Sequence, residues 1–109
     1  MRVVPDAEAE GWLLSGPPFQ WDAGNQTKSE KKHGVTTDEA ESIYLLPIVF
    51  GGRIVEPPHD EPRWIMFGVA GTGRHIAIVF TRRGNELRAI SCRAMRSKEA
   101  AAYEARIGK

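Results

Sequence analysis

The stretch from Arg74 to Arg96, RHIAIVFTRRGNELRAISCRAMR, decides how this chain folds. It contains two apolar runs rich in Ile, Val and Phe, residues 75–82 and 86–94, and this composition favours strands over helices. Gly84-Asn85 between Arg83 and Glu86 fits a two-residue hairpin turn, because glycine accepts the positive φ needed at the first turn position. Such a turn predicts a register. Arg83 faces Glu86, Thr81 faces Arg88, Val79 faces Ile90 and Ala77 faces Cys92 on one face. Phe80 with Ala89, Ile78 with Ser91 and Ile76 with Arg93 share the other. Both faces are apolar at mid-strand, so both call for cover. In this register Arg88 and Arg93 point to opposite faces unless a bulge intervenes.

Working outward, Arg63 to Val69 with its Trp-Ile-Met-Phe centre predicts a third strand, linked to the hairpin by Ala70-Gly71-Thr72-Gly73. Beyond the hairpin, Ser97 is the predicted cap of a final helix, SKEAAAYEARI, which alanine and glutamate favour. Upstream, residues 51–62 read as a Gly- and Pro-rich loop, and Ile48-Val49-Phe50 as a short strand. Thr36 or Thr37, with Glu39 or Glu41 close behind, caps a helix that ends near Leu45-Leu46-Pro47. Phe19-Gln20-Trp21 reads as a short strand or an anchor, and the polar segment 25–33 predicts a shorter helix closed by Gly34, with Asp22 as a candidate cap. Pro5, Gly11, Gly16, Pro17 and Pro18 break up residues 1–18, which read as a loose arm with Trp12-Leu13-Leu14 docking on the body. The expected class is α/β (α+β): two N-terminal helices, an antiparallel sheet of three or four strands and a C-terminal helix. Residues 19–109 make one domain.

Composition narrows the function classes. A chain of 109 residues supports one modest core. No apolar run reaches the roughly 20 residues that cross a bilayer, and the N-terminus does not read as a secretory signal. Cys92 is the single cysteine, so no internal disulfide forms and a cytoplasmic setting fits. The formal net charge is +1, yet residues 74–98 carry seven Lys or Arg and one acid, Glu86. A basic field on a near-neutral protein is either a nucleic-acid footprint or the ordinary solvation of strand ends.

Residues spread over 19–104 resemble a known family. They are Trp21-Asp22, Gly24-Asn25 and Lys28, then Lys32-His33-Gly34-Val35 and Glu39-Ala40. His59, Arg63-Trp64, Gly68 and Gly73-Arg74 follow, with Phe80-Thr81, Arg83-Gly84-Asn85, Ile90-Ser91, Arg93, Ser97-Lys98-Glu99 and Tyr103-Glu104. In this order and spacing they resemble BrnT, the toxin of BrnT–BrnA type II toxin–antitoxin systems. Ser29, Cys92 and Ala94 depart from the family pattern, and the loop around His59 is shorter. The resemblance implies a compact RelE-like fold and a ribonuclease that inhibits translation. It also implies a BrnA-type antitoxin with a ribbon-helix-helix part, through which the complex would contact operator DNA.

RNA can be cut by its own 2′-hydroxyl attacking the adjacent phosphate. A protein then needs to remove one proton, deliver another and stabilise the phosphorane charge. Arginine suits the charge, and histidine suits the proton transfer. By position, the catalytic candidates are His33, Arg88 and Arg93, with Lys32, Arg83 and Tyr103 binding RNA or phosphate. Each has a plainer alternative. In it, His33 is satisfied by backbone as a helix-end residue, Lys32 is solvated and Arg83 pairs with Glu86. Arg88 and Arg93 would sit in ion pairs, the latter with Glu99, and Tyr103 would belong to the core. His59 and His75 have no evident partner. No metal-binding spacing, phosphate-cradling loop or nucleophile motif occurs, so no metal or cofactor is expected. The second hypothesis is a non-catalytic module of the same fold that binds RNA or protein.

Overall fold

The computed structural model describes residues 1–108. In chain order the elements are β1 (Arg2–Val4), α1 (Ala7–Leu14), β2 (Phe19–Gln20), α2 (Lys28–His33) and α3 (Thr37–Glu41), the last continuing as a 3-10 turn over Ser42–Leu45. Then follow β3 (Val49–Glu56), β4 (Arg63–Val69), β5 (His75–Arg83), β6 (Glu86–Ala94) and α4 (Ser97–Arg106). The class is α+β. The sheet has six strands in the order β1-β3-β4-β5-β6-β2, rather than the three or four expected. Two sources account for the difference. Val49 and Phe50 of the expected triplet at 48–50 begin an eight-residue strand that takes in half of the expected loop. The short β1 and β2 add one strand to each edge, antiparallel to β3 and parallel to β6 respectively.

The N-terminal residues are not a loose arm. β1 pairs with β3, and Asp6 caps α1 by accepting the Ala9 N–H at 3.1 Å. The other Asp6 oxygen accepts Trp64 Nε1–H at 2.9 Å, which ties the arm to β4. Leu13 is fully buried, and Trp12 packs on Phe80 with Arg82 over its indole face. Gly52 makes room for β1. It sits at φ +125°, and a Cβ there would lie 2.8 Å from the Val4 carbonyl oxygen. Gly52→Ala is therefore expected to cost roughly 2 kcal/mol or more and to free β1. A urea melt would show the loss, and limited trypsin digestion would show earlier cleavage after Arg2. Unchanged values in both would remove this role from Gly52.

One sheet face packs against α1, α3 and the 3-10 turn around Ile76, Ile78, Phe80, Leu87, Ala89 and Cys92. Thr36 caps α3 as expected, its hydroxyl accepting the Glu39 N–H. The other face carries a smaller cluster of Ile54, Ile65 and Ala77, with Phe67, Val79 and Met95 against it, and α4 covers part of it. Ser97 is inside α4 rather than its cap. The cap position is Arg96, whose N–H donates to Glu99 Oε1 at 2.8 Å.

Candidate functional site

The hairpin keeps its expected register near the turn: Arg83 pairs Glu86, Thr81 pairs Arg88 and Phe80 pairs Ala89. Between Val79 and Phe80 the register shifts, and Ile90 becomes the extra residue of a bulge. Beyond it Val79 pairs Ser91, Ile78 pairs Cys92, Ala77 pairs Arg93 and Ile76 pairs Ala94. The expected pairs Val79–Ile90, Ala77–Cys92, Ile78–Ser91 and Ile76–Arg93 are therefore displaced by one residue. The physical reason lies in Cys92 and Arg93. An unshifted strand would push Arg93 against Ile76, which is fully buried. With the bulge, Cys92 fills the core at 1% exposure and Arg93 reaches the opposite face, where Glu99 meets it.

Arg88 and Arg93 consequently share one face instead of dividing between two. Their pairing partners Thr81 and Ala77 are four residues apart, so the two arginines stand about 13 Å from each other along the strand. By strand alternation Arg63 and Arg83 belong to the same face. Between the two ends lie the half-buried Val79 and Ser91. Asn25, buried next to the bulge, fixes this geometry. Its amide donates to the carbonyls of Gln20 and Ala89, and its Oδ1 accepts the Asp22 N–H. Asn25 stood in the polar segment and in the family pattern but with no role assigned, because a clamp over such separations has no local signature.

At the turn end every candidate has an acidic partner. Arg88 donates to Asp22 Oδ2 at 2.5 Å, and its guanidinium lies 3.0 Å from where a Gly24 Cβ would stand. Arg83 makes a two-bond fork to Glu61, at 2.9 and 3.0 Å, and not to Glu86, which accepts instead from Gln20 Nε2. The Arg88 bond, with help from the Gly24 N–H, holds the Asp22 carboxyl below its ordinary range. The Arg83 fork does the same for Glu61, reinforced by the charges of Arg83, Arg63 and Arg88. Two separate ion pairs thus stand near Arg63, and the charges of Arg63 and Arg88 both act on Glu61. Arg63 Nε itself is buried without a hydrogen-bond partner. Asp22, Glu61 and Arg63 were absent from the sequence-derived site, although Asp22 and Arg63 belong to the quoted family pattern.

At the other end Arg93 makes a two-bond fork to Glu99, 2.7 and 2.9 Å, with both side chains 17% exposed. The pairing with Glu99 is the one the sequence suggested. That bond raises the Arg93 pKa and lowers that of Glu99. His75 does have a partner: its Nε2 lies 2.5 Å from Glu104 Oε2, and its ring meets Tyr103 edge-on. The partner escaped sequence reading because 29 residues separate the two. Lys32 and His33 are exposed in the last turn of α2, and their side chains form no hydrogen bond or ion pair among the described residues. α2 runs beside β6, its Ser29 hydroxyl accepting the Cys92 N–H at 2.8 Å. Past its end, the Gly34 carbonyl accepts from Arg74. Lys32 and His33 therefore lie toward the Arg93 end of β6, away from Arg88.

Two residues are removed from direct contact chemistry. Tyr103 is 2% exposed and its hydroxyl donates to the Pro47 carbonyl, which fits the core tyrosine of its plainer reading and not an RNA contact. Burial pushes the Cys92 thiol up to about 11, against a smaller opposing effect of Ser29. At pH 8 the thiol should therefore react with a disulfide reagent only as fast as the protein unfolds, and at once in denaturant. Rapid labelling of the native protein would contradict its burial.

A family model described as the ribonuclease toxin BrnT of a type II toxin–antitoxin system matches residues 21–99. This span holds the bulged hairpin, α2 and both arginine ends, and leaves out β1 and α1. No curated protein matches the chain. No helix is long and apolar enough to cross a membrane among the described residues.

Proposed function

The chain belongs to the BrnT family of ribonuclease toxins of type II toxin–antitoxin systems, and from that premise we propose that it cleaves RNA without a metal ion along the arginine face. The observation that carries the reading is the bulge at Ile90, which aligns Arg88 and Arg93 on one face with Arg63 and Arg83. A phosphate backbone laid on that face meets guanidinium forks at both ends. In the reaction the 2′-oxygen bonds to phosphorus and the bond to the 5′-oxygen breaks. This leaves a 2′,3′-cyclic phosphate and a 5′-hydroxyl. One proton leaves the 2′-hydroxyl and one reaches the 5′-oxygen. Arg93 stabilises the phosphorane, and His33, on the same end of β6, carries a proton. Arg88, Arg83 and Lys32 hold the flanking strand.

We read the α+β arrangement as RelE-like and the neutralising partner as a BrnA-type antitoxin with a ribbon-helix-helix part. The antitoxin alone would bring the complex to operator DNA. One observation favours the non-catalytic reading: Arg83, Arg88 and Arg93 each already hold a carboxylate. RNA binding then requires phosphate to displace Glu61, Asp22 or Glu99. Expression of the chain with His33→Ala, Arg88→Ala and Arg93→Ala in parallel tests the proposal, together with RNA cleavage in EDTA. The nuclease reading expects growth arrest, and cyclic or 3′-phosphate ends that the variants lose. Harmless expression and intact RNA would leave the binding module as the better account.

A further inference from the structure

Between α4 and the ends of β3 and β4 lies a cleft of about 340 Å³ that no residue of the proposed reaction occupies. Its sheet side is apolar, with Val49 and the half-buried ring of Phe67. Gly51 keeps that ring in place, because a Cβ there would come within 2.7 Å of it. The helix side is one stripe at four-residue spacing, Lys98, Ala102 and Arg106. Alanine in the middle leaves the opening clear, and the backbone positions of the two cationic residues stand about 12 Å apart along the helix on either side of it. Neither cation forms an ion pair among the described residues. Arg106 also borders a neighbouring hollow with Glu10 but makes no ion pair with it. Glu99 at the cleft wall is already engaged by Arg93 and the Arg96 N–H.

An apolar slot with an aromatic wall and a cation at each lip suits one chemical class well: an unstacked nucleobase with a phosphate on each side. We propose that this cleft takes one unpaired base of the RNA against Phe67, while Lys98 and Arg106 hold the phosphates flanking it. The inference rests on the proposed RNA-cleaving role. It adds a base-reading subsite joined to the arginine face through the Arg93–Glu99 pair. An acidic peptide would also meet the two cations, but it would make no use of the flat apolar wall.

The test uses the full chain and uncleavable 2′-O-methylated tetranucleotides of A, C, G or U, with binding followed by fluorescence anisotropy. Lys98, Ala102 and Arg106 are exposed, and a melting curve checks the fold of each variant. Ala102→Trp plugs the slot without changing charge, and is expected to weaken binding about 10-fold and to level differences among the four oligomers. Lys98→Glu with Arg106→Glu should weaken all four by a similar factor or more. A 4-thiouridine oligomer should crosslink the unaltered protein at Phe67 or in α4. Wild-type affinity in Ala102→Trp, no binding by the wild type, or crosslinks confined to other elements would each overturn the proposal. The two readings separate cleanly. If RNA is cut but Ala102→Trp neither weakens binding nor moves the cut sites, the subsite fails and the nuclease stands. If oligomers bind as described but no RNA is cut, the nuclease fails and the subsite stands.

Discussion

Leu13→Ala is expected to lower the unfolding free energy by about 3 kcal/mol, the size of effect seen when a fully buried leucine leaves a cavity. Leu13 is 0% exposed although it belongs to α1, outside the span that matches the family. It lies in the same core cluster as Phe80, Ile78 and Ile43. A domain of this size has a total stability on the order of 5–15 kcal/mol, so the loss is a large fraction of the whole. The melting temperature should fall by on the order of 15 °C. The neighbouring Leu14 is 59% exposed, and Leu14→Ala should stay within about 0.5 kcal/mol of the parent. Chemical denaturation of the pair decides the matter. Equal and small effects would mean that α1 does not share the core, and residues 1–18 would then be the loose arm that their prolines and glycines suggested.

Arg93→Ala should reduce RNA cleavage by about 10²- to 10³-fold, the usual cost of removing one donor to a charge that develops in the transition state. Arg93→Lys should recover little, because a single ammonium cannot reproduce the fork. The alanine variant should also cost about 1–3 kcal/mol of stability, since it strips Glu99 of its main partner in a mostly enclosed site. Glu99→Gln separates the two effects. It loses the ion pair and the stability but leaves the Arg93 guanidinium available to phosphate, so cleavage should be retained or rise. If instead Arg93→Ala cuts RNA within threefold of the parent, Arg93 only fastens α4 to the sheet.

Acid provides a second measure of the same pair. Arg93 holds the Glu99 carboxyl below its ordinary value of 4.5. A depressed carboxylate pKa contributes stability that is fully present above the unfolded value and is lost as pH falls through the folded one. The parent should therefore lose stability more steeply below about pH 4.5 than Glu99→Gln does. Matching acid slopes in the two proteins would show that the pair contributes nothing to folding.

What could be read from the residues alone was local. The Gly84-Asn85 turn, the extents of β4, β5 and β6, the Thr36 cap and the Gly34 helix stop follow from spacing and turn chemistry within a few residues. Glu99 as the partner of Arg93 was legible too, being six residues away. The order of the quoted residues was enough to bring out the family. The edge strand β1 was not legible, and Phe19-Gln20 of β2 read equally as a short strand or an anchor. Three and two residues carry no period, and these strands exist because β3 and β6 offer them unpaired edges. The partners of Arg88, Arg83 and His75 were hidden for a related reason, as they come from segments 66, 22 and 29 residues distant. The bulge was the decisive step. The alternation of residues 86–94 alone sends Arg88 and Arg93 to opposite faces, and only packing selects the extra residue at Ile90. A core that accepts Cys92 and excludes a guanidinium shifts the strand by one position, and that shift puts both arginines on the same face.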